Sequence, residues 1–219
     1  MRRIVFGLIA LAFLGIFIYW TRNLKTPKKD STQNSSRSPL METSGKARSR
    51  STLGVFADLK DGSPRVVAFD PNGTLLVSIP NQGKVVALPD ENKDGKSDRI
   101  VDVKSALNKP HGISFEAGYI YIAETDKVVR YKYDPKSFQV SEKEALFGLP
   151  GGGRHFSRTI RIHEGKLYTS IGSSCDVCIE DRLFRATILI SDLDGSNLRV
   201  FAKGLRNTVF LTFDKKGEI

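Results

Sequence analysis

Cysteine, histidine and tryptophan are scarce in this chain, with two, three and one copies in 219 residues. The single Cys-x-x-Cys, Cys175 and Cys178 in "SSCDVC", is at most half of a zinc site, and no second pair or spaced His pair completes it. A thioredoxin-like redox role would need a helix N-terminus in a βαβ context, which this region does not offer. A G-x-S-x-G elbow, a phosphate loop and a strand-linked G-x-G-x-x-G are all missing. Nothing therefore points to Ser-His-Asp hydrolysis or to a nucleotide fold. From Gly54 onward no window carries a 3.6-residue period, which sets helical folds aside.

An excess of positive charge is also missing from the part that folds. The net charge is +10, but residues 1–50 hold ten Lys/Arg against two Asp/Glu and so carry +8, leaving +2 for residues 51–219. The basic excess flanks an apolar run and a polar tether, where attraction to anionic lipid accounts for it. Nucleic acid is excluded as a partner.

Residues Ile4–Trp20 are apolar or small, with Arg2 and Arg3 before them and Arg22, Lys25, Lys28 and Lys29 after. A run of 17 is the lower limit for a bilayer-spanning helix, and its "FIYW" end suits a headgroup belt better than a signal-peptide cleavage site. Residues 1–20 are therefore expected to be a single N-terminal anchor in contact with the lipid bilayer through residues 4–20. The folded part is expected outside the cytoplasm, periplasmic or extracellular, although the charge bias does not settle orientation. Residues 21–50, rich in Ser, Thr, Asn, Lys and Arg, have the composition of a disordered linker. In an exported protein Cys175 and Cys178 are expected to form a local disulfide, with reduced, merely structural thiols as the alternative.

What remains, residues 51–219, alternates with a two-residue period and contains four similar hairpins. They are "VVAFDPNGTLLVSI", "GISFEAGYIYIAE", "TIRIHEGKLYTSI" and "VFLTFDKKGEI", with turn glycines Gly73, Gly118, Gly165 and Gly217 at spacings of 45, 47 and 52. Further strands such as "KVVALP", "KVVRYKY" and "TILISDLDG" fill the intervals. A period of about 40–50 residues with four strands per unit indicates propeller blades, whereas the turns of a β-sandwich recur more often. The expected fold is all-β, a partial β-propeller of about three four-stranded blades plus the start of a fourth, behind the N-terminal transmembrane helix. The fourth unit begins near Arg206 and stops at Ile219, so the chain reads as truncated.

In a propeller, the segment entering the first strand of each blade opens at one end of the axis. Those positions hold Pro110 and His111, then Arg154 and His155 after the glycine triplet of "LPGGGRHFSRTIRI", then Arg206 and Asn207. Three glycines let the chain turn sharply and deliver His155 to that mouth, where an imidazole could act as a general base or simply bond a neighbouring loop. His111 and Arg154 are candidates for the substrate channel, with packing as the alternative for His111. His163, in the turn "HEG", reads as a solvated residue. Asp90, Asn92, Asp94 and Asp98 around Gly95 have near-calcium-loop spacing but Val101 at position twelve, so a structural calcium site and a solvated turn both stand.

The run "LPGGGRHFSRTIRIHEGKLYTSIGSSCDVC", followed by "FAKGLRN" and preceded by "KPHGISFEAGYIYIAETDKVVRYKY", resembles the soluble-type quinoprotein glucose/sorbosone dehydrogenases. Those are six-bladed propellers using pyrroloquinoline quinone (PQQ) and calcium. The resemblance covers roughly residues 63–213. It implies that His155 is the catalytic base for a sugar or related alcohol, that Arg206 and Asn207 bind the quinone, and that an external electron acceptor completes turnover. Thr208 departs from the Pro usual after the Arg-Asn pair. The family's basic clamps for the quinone carboxylates and its calcium-holding carbonyls come from later blades, which this sequence does not contain. A non-catalytic propeller, or an inactive remnant, that binds carbohydrate or protein is the alternative. A propeller hydrolase would need a nucleophilic or metal-ligating set that is not seen.

Overall fold

The computed structural model describes residues 53–219. The expected anchor at 1–20 and linker at 21–50 lie outside the described residues, among which no helix is long and apolar enough to cross a membrane. Three four-stranded antiparallel sheets follow one another along the chain. The first is β1 (Val67–Phe69), β2 (Leu75–Ile79), β3 (Lys84–Leu88) and β4 (Val101–Lys104). The second is β5 (Ile113–Glu116), β6 (Tyr119–Ala123), β7 (Lys127–Asp134) and β8 (Gln139–Gly148). The third is β9 (Ile160–His163), β10 (Lys166–Ile171), β11 (Thr187–Asp192) and β12 (Arg199–Lys203). Within each sheet the spatial order is the chain order. The hairpin turns are closed by Gly73, Gly118 and Gly165 at φ +85°, +79° and +70°, a region that a side chain makes unfavourable.

The sheets pack face to face. Leu76, Val85, Ala87 and Val103 of the first sheet meet Ile113, Ile120, Ile122, Val129 and Tyr131 of the second. The opposite face of the second, with Tyr121, Ala123 and Val128, meets Ile160, Leu167, Ile171 and Leu189 of the third. Val77, Ile79, Val86 and Leu88 turn the other way, against Phe56, Ala57 and Leu59 of the leading segment. Burial on both faces explains why the middle strands run apolar without clean alternation, as in "LLVSI" and "YIYIA". Each such fully buried side chain contributes about 1.5–3 kcal/mol.

First strands touch first strands, β1 with β5 and β5 with β9, while β4 meets β8 on the far side. That arrangement is consistent with a partial propeller, and it brings the three entry segments to one end. Polar ties reinforce it. Tyr133 donates from Oη to Asp70 Oδ2 at 3.0 Å between the first two sheets, and Arg130 Nη1 donates to the Leu193 carbonyl at 3.0 Å between the last two. After β12 the chain forms the turn Asp214–Glu218, with Gly217 donating to the Asp214 carbonyl, but no further strand among the described residues. Residues 208–211 lie instead along the third sheet, where Ser170 Oγ donates to the Thr208 carbonyl at 2.7 Å and Thr159 Oγ1 to that of Val209.

Candidate functional site

The glycine triplet before β9 does two things. Gly152 and Gly153 adopt φ +71° and +79°, which folds the segment back on itself. The turn also exposes carbonyls, and two buried arginines bind them. Arg185 Nη2 donates to the Gly151 and Gly152 carbonyls at 2.8 and 2.7 Å, and its Nη1 reaches Gly172 at 3.3 Å. Arg158, 0 % exposed, donates to Pro150 (2.9 Å), His155 (3.0 Å), Ser157 (2.8 Å) and Thr125 (3.1 Å). A guanidinium has five donors in a fixed fork, and here carbonyl dipoles take the place of a carboxylate. Burial, and then the charge of Arg185, lower the Arg158 pKa to about 10, which leaves it charged at neutral pH. The sequence gives no hint of these two residues, because bonding to carbonyls has no spacing signature.

Held this way, His155 is 13 % exposed and its Nε2 lies 3.4 Å from Asp176 Oδ1, close but outside hydrogen-bond geometry, so that buried Nε2 has no hydrogen-bond partner. Asp176 is the centre of the cluster. It receives Arg154 Nε on Oδ2 at 2.9 Å and Arg206 Nη2 on Oδ1 at 2.7 Å, while Arg206 Nε donates to its backbone carbonyl at 2.9 Å. A disulfide joins Cys175 to Cys178 around Asp176, and Glu180 accepts from the amide and hydroxyl of Ser174, so both ends of that loop are tied. Asp176 is not among the residues that the sequence pattern singles out, although the disulfide ring around it fixes its charge in place.

Asn207 completes the group. Its buried Oδ1 has no partner, and it faces His155 across Gly172. A Cβ at Gly172 would stand 2.5 Å from His155 Cβ and 2.7 Å from Asn207 Oδ1. His155, Arg206, Asn207 and Arg154 are therefore brought together, from segments some 50 residues apart. Behind the disulfide loop a cleft of about 550 Å³ is lined by Asp176, Arg185, Lys203 and Arg206, but not by His155 or Asn207.

Other expected residues sit elsewhere. His163 stacks on Phe213, ring centroids 4.1 Å apart, rather than standing in solvent, because the chain after β12 folds back over β9. Asp90 accepts from the Asp94 and Gly95 amides, and Asp98 from the Glu91 amide and the Asn92 side chain. The loop carboxylates are thus engaged by their own backbone. Among the described residues the Cys, His, Asp and Glu side chains whose ligand atoms cluster are Cys175, Cys178 and Glu180, not Asp90, Asp94 and Asp98. The two sulfurs are bonded to each other, which leaves no thiolate to bind a metal.

His111 takes a packing position, 2 % exposed, with Nδ1 unpartnered. Burial lowers its pKa from 6.5 to about 4, opposed by a hydrogen bond to the Arg158 backbone and helped by the charges of Arg65 and Arg158. Between these two values the unfolded chain binds a proton that the folded chain does not. Stability is therefore full above pH 6.5 and declines as the pH falls towards 4. The expected loss is about 3 kcal/mol by pH 4. Thermal melts across that range should show it, and His111→Gln should flatten the dependence; an unchanged slope in the variant would assign it to other groups.

Residues 52–219 match the family described as TrAA12-like. A search of curated proteins gives no match. Among solved structures, the holo PQQ domain of pyranose dehydrogenase from Coprinopsis cinerea is 26 % identical with a TM-score of 0.62, over 70 % of this chain and 42 % of that one. The calcium structure of a Trichoderma reesei carbohydrate-active enzyme of family AA12 is 22 % identical, TM-score 0.54, over 68 % and 39 %. The PQQ-bound aldose sugar dehydrogenase of Streptomyces coelicolor is 22 % identical, TM-score 0.57, over 71 % and 55 %. The chain thus spans about two fifths to a little over half the length of the structures it matches.

Proposed function

The chain belongs to the TrAA12-like family, and on that premise we propose that it is part of a propeller dehydrogenase that oxidises a hydroxyl of a sugar or related alcohol, with PQQ and calcium as cofactors. The observation that carries the reading is the pair of buried, unpartnered acceptor atoms, His155 Nε2 and Asn207 Oδ1, set beside the guanidinium of Arg206. Orphaned polar atoms in a folded interior are costly unless something binds to them. The two acceptors fit a sugar hydroxyl, which donates, and the guanidinium donors of Arg206 fit the oxygens of a planar quinone.

The residues divide the work. His155 Nε2 takes the hydroxyl proton, the step that makes the carbon a hydride donor. Asp176, 3.4 Å away, stabilises the imidazolium that results, and its two arginine partners keep the carboxylate in place. Arg206 and Asn207 would hold the quinone edge. When bound, PQQ supplies the hydride acceptor, and an external acceptor then takes the electrons. The same proposal includes a membrane tether through residues 4–20, on sequence grounds.

The test is reconstitution of the full-length gene product with PQQ and calcium. Sugar-dependent dye reduction is expected, and His155→Ala should lower it by about 10²–10⁴-fold. Turnover retained in that variant would remove the base assignment. No turnover in the reconstituted wild type would favour a non-catalytic binding propeller.

A further inference from the structure

We propose that Arg65 and Lys109 form a carboxylate-binding subsite beside His155, so that the ligand held at this mouth is acidic. The position rests on the sugar-oxidation reading; the chemistry rests on the two cations themselves. Arg65 lies just before β1, Lys109 before β5 and Phe156 before β9, the corresponding entry segments of three successive sheets. The Arg65 guanidinium carbon is 6.0 Å from the Phe156 ring centroid and the Lys109 ammonium 5.7 Å from it. Phe156 is the residue that follows His155, so the shared ring ties both cations to the entry segment that carries the imidazole.

Two further observations point to an anion. Arg154 and Arg206 are already bound by Asp176, whereas neither Arg65 nor Lys109 is in any ion pair among the described residues. Both are exposed, and two like charges held over one ring repel each other until a counter-charge arrives. Lys109 also has φ +48°, a backbone state that glycine adopts far more cheaply. A side chain on such a backbone costs stability, here as at ten other non-glycine positions among the described residues.

A guanidinium fork matches a carboxylate in two-point geometry, and the ammonium supplies a second, mobile donor. The carboxylate could belong to an acidic sugar, such as a uronic acid, or to the quinone, and the experiment separates these sources.

Isothermal titration of the full-length gene product uses three ligands: glucuronate without quinone, glucose without quinone, and PQQ alone. Arg65→Ala/Lys109→Ala should weaken one carboxylate ligand by about tenfold or more, leave glucose unchanged, and reproduce the effect of high salt on the wild type. Arg65→Lys/Lys109→Arg should recover most of the loss. Loss with glucuronate assigns the subsite to the substrate, and loss with PQQ assigns it to the cofactor. Lys109→Gly should raise the melting temperature by about 2–4 °C while weakening the same ligand. Wild-type affinity for both carboxylate ligands in the double alanine variant would overturn the proposal, as would unchanged binding in Lys109→Gly. Either result would leave the His155 reading intact. Conversely, carboxylate binding that depends on Arg65 and Lys109 in a protein without sugar-dependent dye reduction would overturn the oxidation reading alone.

Discussion

Arg158→Met is expected to be the most destabilising single change in the described domain. The methionine fills similar space, but the Thr125, Pro150, Ser157 and His155 carbonyls lose their donor at once. Buried acceptors left without a partner cost about 1–3 kcal/mol each. Relief of the desolvated charge offsets part of that, so a net loss of about 3–5 kcal/mol follows. For a domain of this size the melting temperature should fall by about 10 °C. Arg158→Lys keeps the charge but not the fork, and should lie between the two. The location matters as much as the size, because the orphaned carbonyls come from the segment that delivers His155. Thermal melts monitored by circular dichroism decide it, and a methionine variant as stable as wild type would show that the carbonyls find water instead.

Gly172→Ala should lose less stability than Arg158→Met and far more of the chemistry. The new methyl would sit 2.5 Å from His155 Cβ and 2.7 Å from Asn207 Oδ1, where about 3.5–4.0 Å is comfortable. The base and the amide must each retreat by about 1 Å, and a displacement of that size at a reacting group costs about 10²-fold in rate. Overpacking of this kind costs about 1–3 kcal/mol of stability. The measurement is kcat/KM of the reconstituted full-length gene product beside a thermal melt. An alanine variant with wild-type kinetics would place the chemistry away from the gap between His155 and Asn207.

Much of the fold was legible because its signals are local. A turn glycine with alternating residues on both sides makes a hairpin wherever it occurs, and the recurrence of Gly73, Gly118 and Gly165 fixes the period. Burial on both faces was not legible, since it depends on one sheet packing against the next. His155, Arg206 and Asn207 could be singled out because each precedes a strand start or an expected one. The groups that aim them could not. Arg158 and Arg185 act on carbonyls, which every residue has, and Gly172 acts by what it lacks. Asp176 is masked in the sequence by Cys175 and Cys178, whose spacing signals redox and metal chemistry instead. In the Asp90–Asp98 loop, ligand-like spacing and self-capping turn spacing coincide, because a carboxylate placed to accept from its own loop amides has the same spacing as one placed to hold a cation.

The most direct test is a pair of readings on one variant of the full-length gene product. PQQ is titrated into His155→Ala in the presence of calcium, and sugar-dependent dye reduction is then measured on the saturated protein. A proton-accepting imidazole predicts quinone affinity within about threefold of wild type together with turnover lowered by at least about a hundredfold. Near-normal turnover in the saturated variant would contradict it.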